Sequence, residues 1–240
     1  MKARILIAAL AGFAAVALPA AFGAAQRTRS EGIRSDGPEG RNWTETVVRT
    51  PEGGFRMGNP NASVKLVEYV SLTCPHCAEF AAQGGERLFQ QHVRSGRVSV
   101  EYRNFTLNGF DLAAAFLSRC AAPRQYFTMS HYLLLHQPEW LGRSQSLTDA
   151  QRAELRSATP IQAMQRLVPM LGLDRIAARH GINAAQQRAC LADQAQLDRL
   201  GQMQQAAAGL GVGGTPTFFI NGQLTQAHHW AEIEPLLRGR

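Results

Sequence analysis

Between residues 63 and 72 the chain reads SVKLVEYVSL, with apolar side chains on both parities. A strand covered on one face alternates apolar and polar, so this pattern predicts a central strand buried on both. RVSVEYRNF (97–105) alternates instead, with Val98, Val100 and Tyr102 on one side, and predicts a second strand. The stretch between them passes from strand to helix at Thr73-Cys74-Pro75 and keeps helical spacing through about Phe89. Strand, helix and strand in that order predict a parallel pair joined by a right-handed crossover. Upstream, TETVVRTPEGGFRMGNP predicts a short strand near Val47–Arg49, a turn at Pro51–Gly54 and a brief return.

From Asp111 to Leu210 the apolar positions recur at helical spacing, in segments broken near Pro123, Pro138–Gly142, Pro160, Gly172 and Gly181. The Met and Leu stripes in them read as helical core. After GLGVGGTP (209–216), Thr217–Ile220 predicts a strand and Asn221-Gly222 a two-residue hairpin turn. HHWAEIEPLLR then predicts a closing helix whose pattern Pro235 interrupts. The order is β-α-β, a long helical block, then β-β-α: an α/β fold with a large all-helical insertion and no internal repeat.

The start of the chain changes how the rest is read. Lys2 and Arg4 precede an apolar run from Ile5 to Leu18, Pro19 ends it, and AAFGAA (20–25), small but for Phe22, follows. That is the pattern of a secretory signal peptide over 1–25, and the run is short for a membrane span. Residues 26–42 are polar, rich in Gly and charge, and without period, as expected of a disordered leader. Removing 1–25 deletes two positive charges and no acid, which takes the formal net charge from +7 to +5. The remaining Lys and Arg are scattered without aromatic interleaving, so the surface is not that of a nucleic-acid binder.

Two of the four cysteines stand in Cys74-Pro75-His76-Cys77. Outside the cytosol disulfides persist, so an exported C-x-x-C pair is weighed first as a redox couple. A zinc site needs more ligands than the pair supplies, and there is no second C-x-x-C and no helical i, i+4 histidine pair. With Cys74 as N-cap and Pro75 at the first helical position, the unpaired N–H groups of the first turn, including that of Cys77, point at the Cys74 sulfur. His76 is expected to add a donor beside the same sulfur. Cys74 is therefore expected to be the exposed, low-pKa nucleophile and Cys77 the buried resolving thiol. A thiolate favoured in the reduced protein makes the disulfide the less stable form, so the oxidised protein gives its bridge away.

VEYVSLTCPHCAEF, the helical block and GVGGTPTFFING, in that order, resemble the DsbA-like thiol:disulfide oxidoreductases of the thioredoxin superfamily over roughly residues 43–240. The resemblance implies a thioredoxin fold in two parts, 43–108 and 206–240, interrupted by a helical insertion over 109–205. Thr215-Pro216 resembles the family's cis-proline loop, whose backbone would pair with an extended substrate. Glu68 resembles the buried acid that moves the proton of the resolving thiol, here Cys77. A second acid that some relatives carry seven residues after the first cysteine is Ala81 in this chain. Cys120 and Cys190 match a second cysteine pair that some lineages bridge, and an even count in an exported chain favours a bridge over two buried thiols.

The function so implied is an exported, periplasmic disulfide oxidase acting on unfolded, thiol-containing exported proteins. Its only redox group is the Cys74–Cys77 couple, without metal or cofactor, and a DsbB-like membrane oxidoreductase reoxidises it. A monomer is expected. The alternatives are an isomerase or reductase of the same superfamily, since threonine before the cis-proline also occurs in isomerases, and a non-catalytic peptide-binding chaperone. Those isomerases usually carry an N-terminal dimerisation domain, for which the leader is too short.

Overall fold

A computed structural model describes residues 41–238. The expected signal peptide and most of the leader lie outside the described residues. The last two residues of the expected leader take part in the fold: the Arg41 guanidinium lies 4.0 Å over the Trp43 ring, and the Asn42 side-chain oxygen accepts from Thr44 N to cap a 3₁₀ turn at Trp43–Glu45.

Six strands form one sheet in the order β1-β2-β4-β3-β5-β6. β1 (Val47–Arg49) and β2 (Phe55–Gly58) are the predicted short strand and its return. β3 (Val64–Val70) lies between β4 (Val98–Asn104), which it pairs in parallel, and β5 (Thr217–Ile220), which it pairs antiparallel. That central place explains why β3 lacks alternation: only Lys65, near its start, is exposed. β4 is likewise buried on both parities, Ser99 and Glu101 included, although its sequence alternates. The turn to β6 (Gln223–Leu224) has positive φ at both Asn221 (51°) and Gly222 (81°), the geometry an Asn-Gly hairpin supplies without strain.

The helix that leaves β3 begins as α1 (Pro75–Phe80) and continues to Val93, beyond the predicted end near Phe89. It widens into π-helical turns at Ala81–Gly85 and Leu88–Val93. The first of these coincides with Gly84 and Gly85. A Cβ on Gly84 would strike the Trp230 ring, and one on Gly85 would strike His131. Neighbouring elements thus press directly on this helix's backbone, which a periodicity argument cannot foresee.

The insertion contains α2 (Gly109–Ser118), α3 (Pro123–Leu135), α4 (Gln137–Leu141), α5 (Asp149–Ser157), α6 (Pro160–Met170), α7 (Leu173–Arg179), α8 (Ala184–Cys190) and α9 (Gln194–Gly209). Most of the predicted breaks are helix starts. Pro123 and Pro160 occupy first-turn positions where no N–H is needed, and Gly172 caps α7 at φ 70°. α10 (Trp230–Leu236) closes the chain and tolerates Pro235 in its last turn.

One apolar core joins sheet and insertion: Phe55 stacks on Tyr126 of α3 at 3.8 Å, and Phe80 packs on Phe218 at 4.6 Å. Cys120, just after α2, is disulfide-bonded to Cys190 at the end of α8, across a sequence separation of 70.

Candidate functional site

The site forms where β3 ends. In a sheet with parallel strands, the carboxyl ends open toward helix N-termini, and this is where ligand chemistry collects. Ser71 and Thr73 make the turn: Thr73 N donates to Ser71 Oγ (3.2 Å) and Cys74 N to the Ser71 carbonyl (3.3 Å). Cys74 then takes the N-cap position in extended geometry with Pro75 next. Both thiols are free.

Cys74 is less exposed than expected, with 4% of its surface open, while Cys77 is fully enclosed at 0%. The Cys74 thiol donates to the Thr215 carbonyl at 3.2 Å. Its pKa is brought down to about 5. The largest cause is the hydrogen bond offered by Cys77; burial opposes it, and the Thr215 side chain and the backbone N–H groups of Cys77 and His76 add to it. The thiol closes no capping hydrogen bond of its own, so the helix start acts on the sulfur chiefly when it ionises. The Thr215 hydroxyl is buried and has no other protein partner, which leaves it free for that sulfur. Cys77 shifts the opposite way, well above an ordinary thiol, first through burial, then through its bond to Cys74 and the nearby Glu68.

Glu68 sits in β3 opposite Tyr102 and Phe218, 0% exposed, with neither carboxyl oxygen hydrogen-bonded to protein. Burial raises its pKa far above the usual range, and the charge of Cys74 adds to this. Burial without a hydrogen-bond partner favours the neutral carboxyl over the charged one, and the group lies close enough to Cys77 to raise that thiol's pKa as well. The Thr215–Pro216 bond is cis. With Gly213, Gly214, Leu224 and His228 these two residues border an open cavity of about 420 Å³, linked to Cys74 through the Thr215 carbonyl.

His76 departs from expectation. Its imidazole is 65% exposed and lies 3.7 Å from Glu79, so only its backbone N–H serves Cys74. At the second position of a helix the N–H faces the cap while the side chain leaves toward solvent. Ala81, where some relatives carry an acid, is buried at 2%.

Two residues from the insertion complete the site and were missed by sequence reasoning. Asp111, fully buried in the first turn of α2, accepts from Leu72 N and Leu107 N, both at 2.9 Å, and so ties the loop before Cys74 to the loop after β4. Burial pushes its pKa up to about 6, against the hydrogen bonds it accepts. An acid three residues after Asn108 is a helix-start signal that could have marked it. Gln137, at the start of α4, donates to the carbonyls of Leu72 (2.9 Å) and Cys74 (3.1 Å). No local pattern announces it, because its partners are more than sixty residues away.

Comparison with known proteins agrees with this geometry. A family described as Thioredoxin (Thioredoxin_4) matches residues 50–238. A solved structure titled protein-disulfide isomerase, from Novosphingobium aromaticivorans, is 30% identical, covers 76% of this chain and 94% of its own, and superposes with a TM-score of 0.71. The chain belongs to the DsbA-like thioredoxin family. The α-DsbA1 of Wolbachia pipientis, at 21% identity and TM-score 0.61 over 82% of this chain and 94% of its own, shares the fold, helical insertion included. A Rickettsia bellii relative provisionally named a protein-disulfide oxidoreductase is 26% identical over 184 residues, which are 76% of this chain. The match spans 62% of that relative's length.

Proposed function

We propose that this DsbA-like protein is an exported thiol:disulfide oxidoreductase that donates disulfides to reduced, newly translocated proteins in the periplasm. The observation that carries the reading is the unlike placing of its two thiols: Cys74 is the N-cap of α1, 3.2 Å from the Thr215 carbonyl, and Cys77 is fully enclosed, so one thiol is tuned down and the other up. A stabilised Cys74 thiolate favours the reduced protein, and the oxidised protein is correspondingly a disulfide donor.

The exchange runs in two steps. A substrate thiolate attacks Cys74 Sγ of the oxidised couple, forming a mixed disulfide, and Cys77 leaves as a thiolate that takes a proton held nearby by Glu68. A second substrate thiolate then attacks the substrate sulfur of the mixed disulfide, and Cys74 departs as a stable thiolate. The substrate loses two electrons as its bridge forms, and the Cys74–Cys77 couple gains them. The cavity beside Thr215 and Pro216 receives the substrate backbone. Reoxidation falls to a DsbB-like membrane oxidoreductase, and the protein acts as a monomer.

Refolding of reduced, unfolded ribonuclease tests the reading: the oxidised protein should restore ribonuclease activity, and Cys74→Ser should not. Absence of activity above a glutathione-free control counts against it. Disulfide isomerisation is the second reading, favoured by the isomerase title of the Novosphingobium structure and by Thr215 before the cis-proline. Scrambled ribonuclease separates the two, since a donor without isomerase activity repairs it slowly.

A further inference from the structure

Away from the redox couple, a cavity of about 360 Å³ opens between α3, α4 and α7. Trp140, Leu171 and Ile176 supply buried apolar surface on its wall. Tyr132 and His136, stacked at 4.1 Å, form another part of it. Its charged groups are unbalanced. Arg143, Arg175 and Arg179 all line it, and the one acid among the lining residues, Glu139, is engaged with His136 at 2.9 Å.

None of the three arginines makes a salt bridge among the described residues, and Asp174, adjacent to Arg175 in sequence, pairs with none of them. Arg179 is steadied by a 3.1 Å hydrogen bond to the Tyr132 hydroxyl. Arg143 and Arg175 converge: the Arg143 Cζ and the Arg175 Nη2 each lie 3.0 Å from the point a Cβ on Gly172 would occupy. Gly172 has φ 70° and no side chain, which leaves that point open to both guanidinium groups. Two like charges side by side at the exposed mouth, with a third across the same hollow, form a set of donor forks that an oxyanion can satisfy.

We propose that this cavity binds a phosphate group carried on an apolar or ring-bearing body, the phosphate between Arg143 and Arg175 and the body against Trp140 and Ile176. A soluble organic phosphate and a phospholipid headgroup share this chemistry. The site is separate from the redox couple but not remote in structure, since α4 carries both Trp140 and the Gln137 that holds the Cys74 carbonyl.

The test uses the full mature chain, with inorganic phosphate and glycerol phosphate titrated by calorimetry at physiological ionic strength. Sedimentation with phosphatidylglycerol vesicles, against phosphatidylcholine vesicles, forms the second arm. Saturable binding of either soluble phosphate assigns a soluble source, and binding confined to the anionic vesicles assigns a lipid source. In each case Arg143→Ala with Arg175→Ala should weaken binding about tenfold or more. Arg156→Ala with Arg188→Ala, two exposed arginines outside the cavity, removes the same charge and should leave it unchanged. The Arg143→Lys with Arg175→Lys variant, which keeps charge and loses the forks, should fall between. No saturable binding in either arm, or equal weakening by both alanine pairs, overturns the site.

Discussion

The chain holds two pairs of cysteines whose surroundings differ in kind. Cys120 and Cys190 are bridged between two helix ends, far apart in sequence. Cys74 and Cys77 stand three positions apart as free thiols on one helix start, with Thr215, the first-turn amides and an orphaned Glu68 around them. The first pair connects two distant parts of the chain and restricts the unfolded state. In the second pair the environment makes the two sulfurs unequal: one is stabilised as an anion and the other is held protonated. Sulfur chemistry is common to both; what separates a staple from a reagent is which charge state the neighbours favour.

Several experiments break or sharpen that contrast. The largest effect is expected of Cys74→Ser, which should abolish disulfide transfer in the ribonuclease assay while leaving the circular dichroism spectrum close to native. Replacing Cys120 and Cys190 together by Ala should do the reverse. Transfer should persist, while chemical denaturation shows a stability loss on the order of 4 kcal/mol from the opened loop. If the double variant also lost transfer, the two pairs would not be separable as described.

A pH series comes next. The folded reduced protein holds Cys74 near 5, whereas an unfolded thiol titrates near 8.5, so between these values the unfolded state binds more protons. Stability of the reduced form should therefore rise with pH across that window and be lost as pH falls through 5. The oxidised form lacks this titration, so the gap between the two forms should grow by about 2 kcal/mol from roughly pH 5 to 7. Unfolding curves of both redox forms would show it. Smallest is Gln137→Ala, which leaves two buried carbonyls short of a donor and should cost both redox forms about 1 to 2 kcal/mol in the same denaturation experiment.

Legibility of this molecule in its sequence followed the range of the interactions. The apolar residues on both parities of β3, the Asn-Gly turn and the Cys-Pro start of α1 are local signals, and each corresponds to an observed element. Cys74 and Cys77 were legible for the same reason, as was Thr215 once GGTPT was set beside them. His76 was misjudged because sequence shows a donor near a sulfur but not which way the ring leaves the helix. Asp111 and Gln137 reach the site from the insertion, and only the folded chain reveals what their polar atoms meet. The first π-helical turn after Phe80 coincides with Gly84 and Gly85, where Trp230 and His131 press on the backbone, contacts that have no trace in local spacing.

The account's central claim is that Cys74 is an anion at neutral pH while Cys77 is not. Following thiolate absorbance in the ultraviolet across a pH titration of the reduced protein measures this directly, with Cys77→Ser to assign the signal. One thiolate ionising near 5 is the predicted result. No thiolate absorbance at neutral pH, with Cys74 titrating near 8.5 like a free thiol, would contradict it.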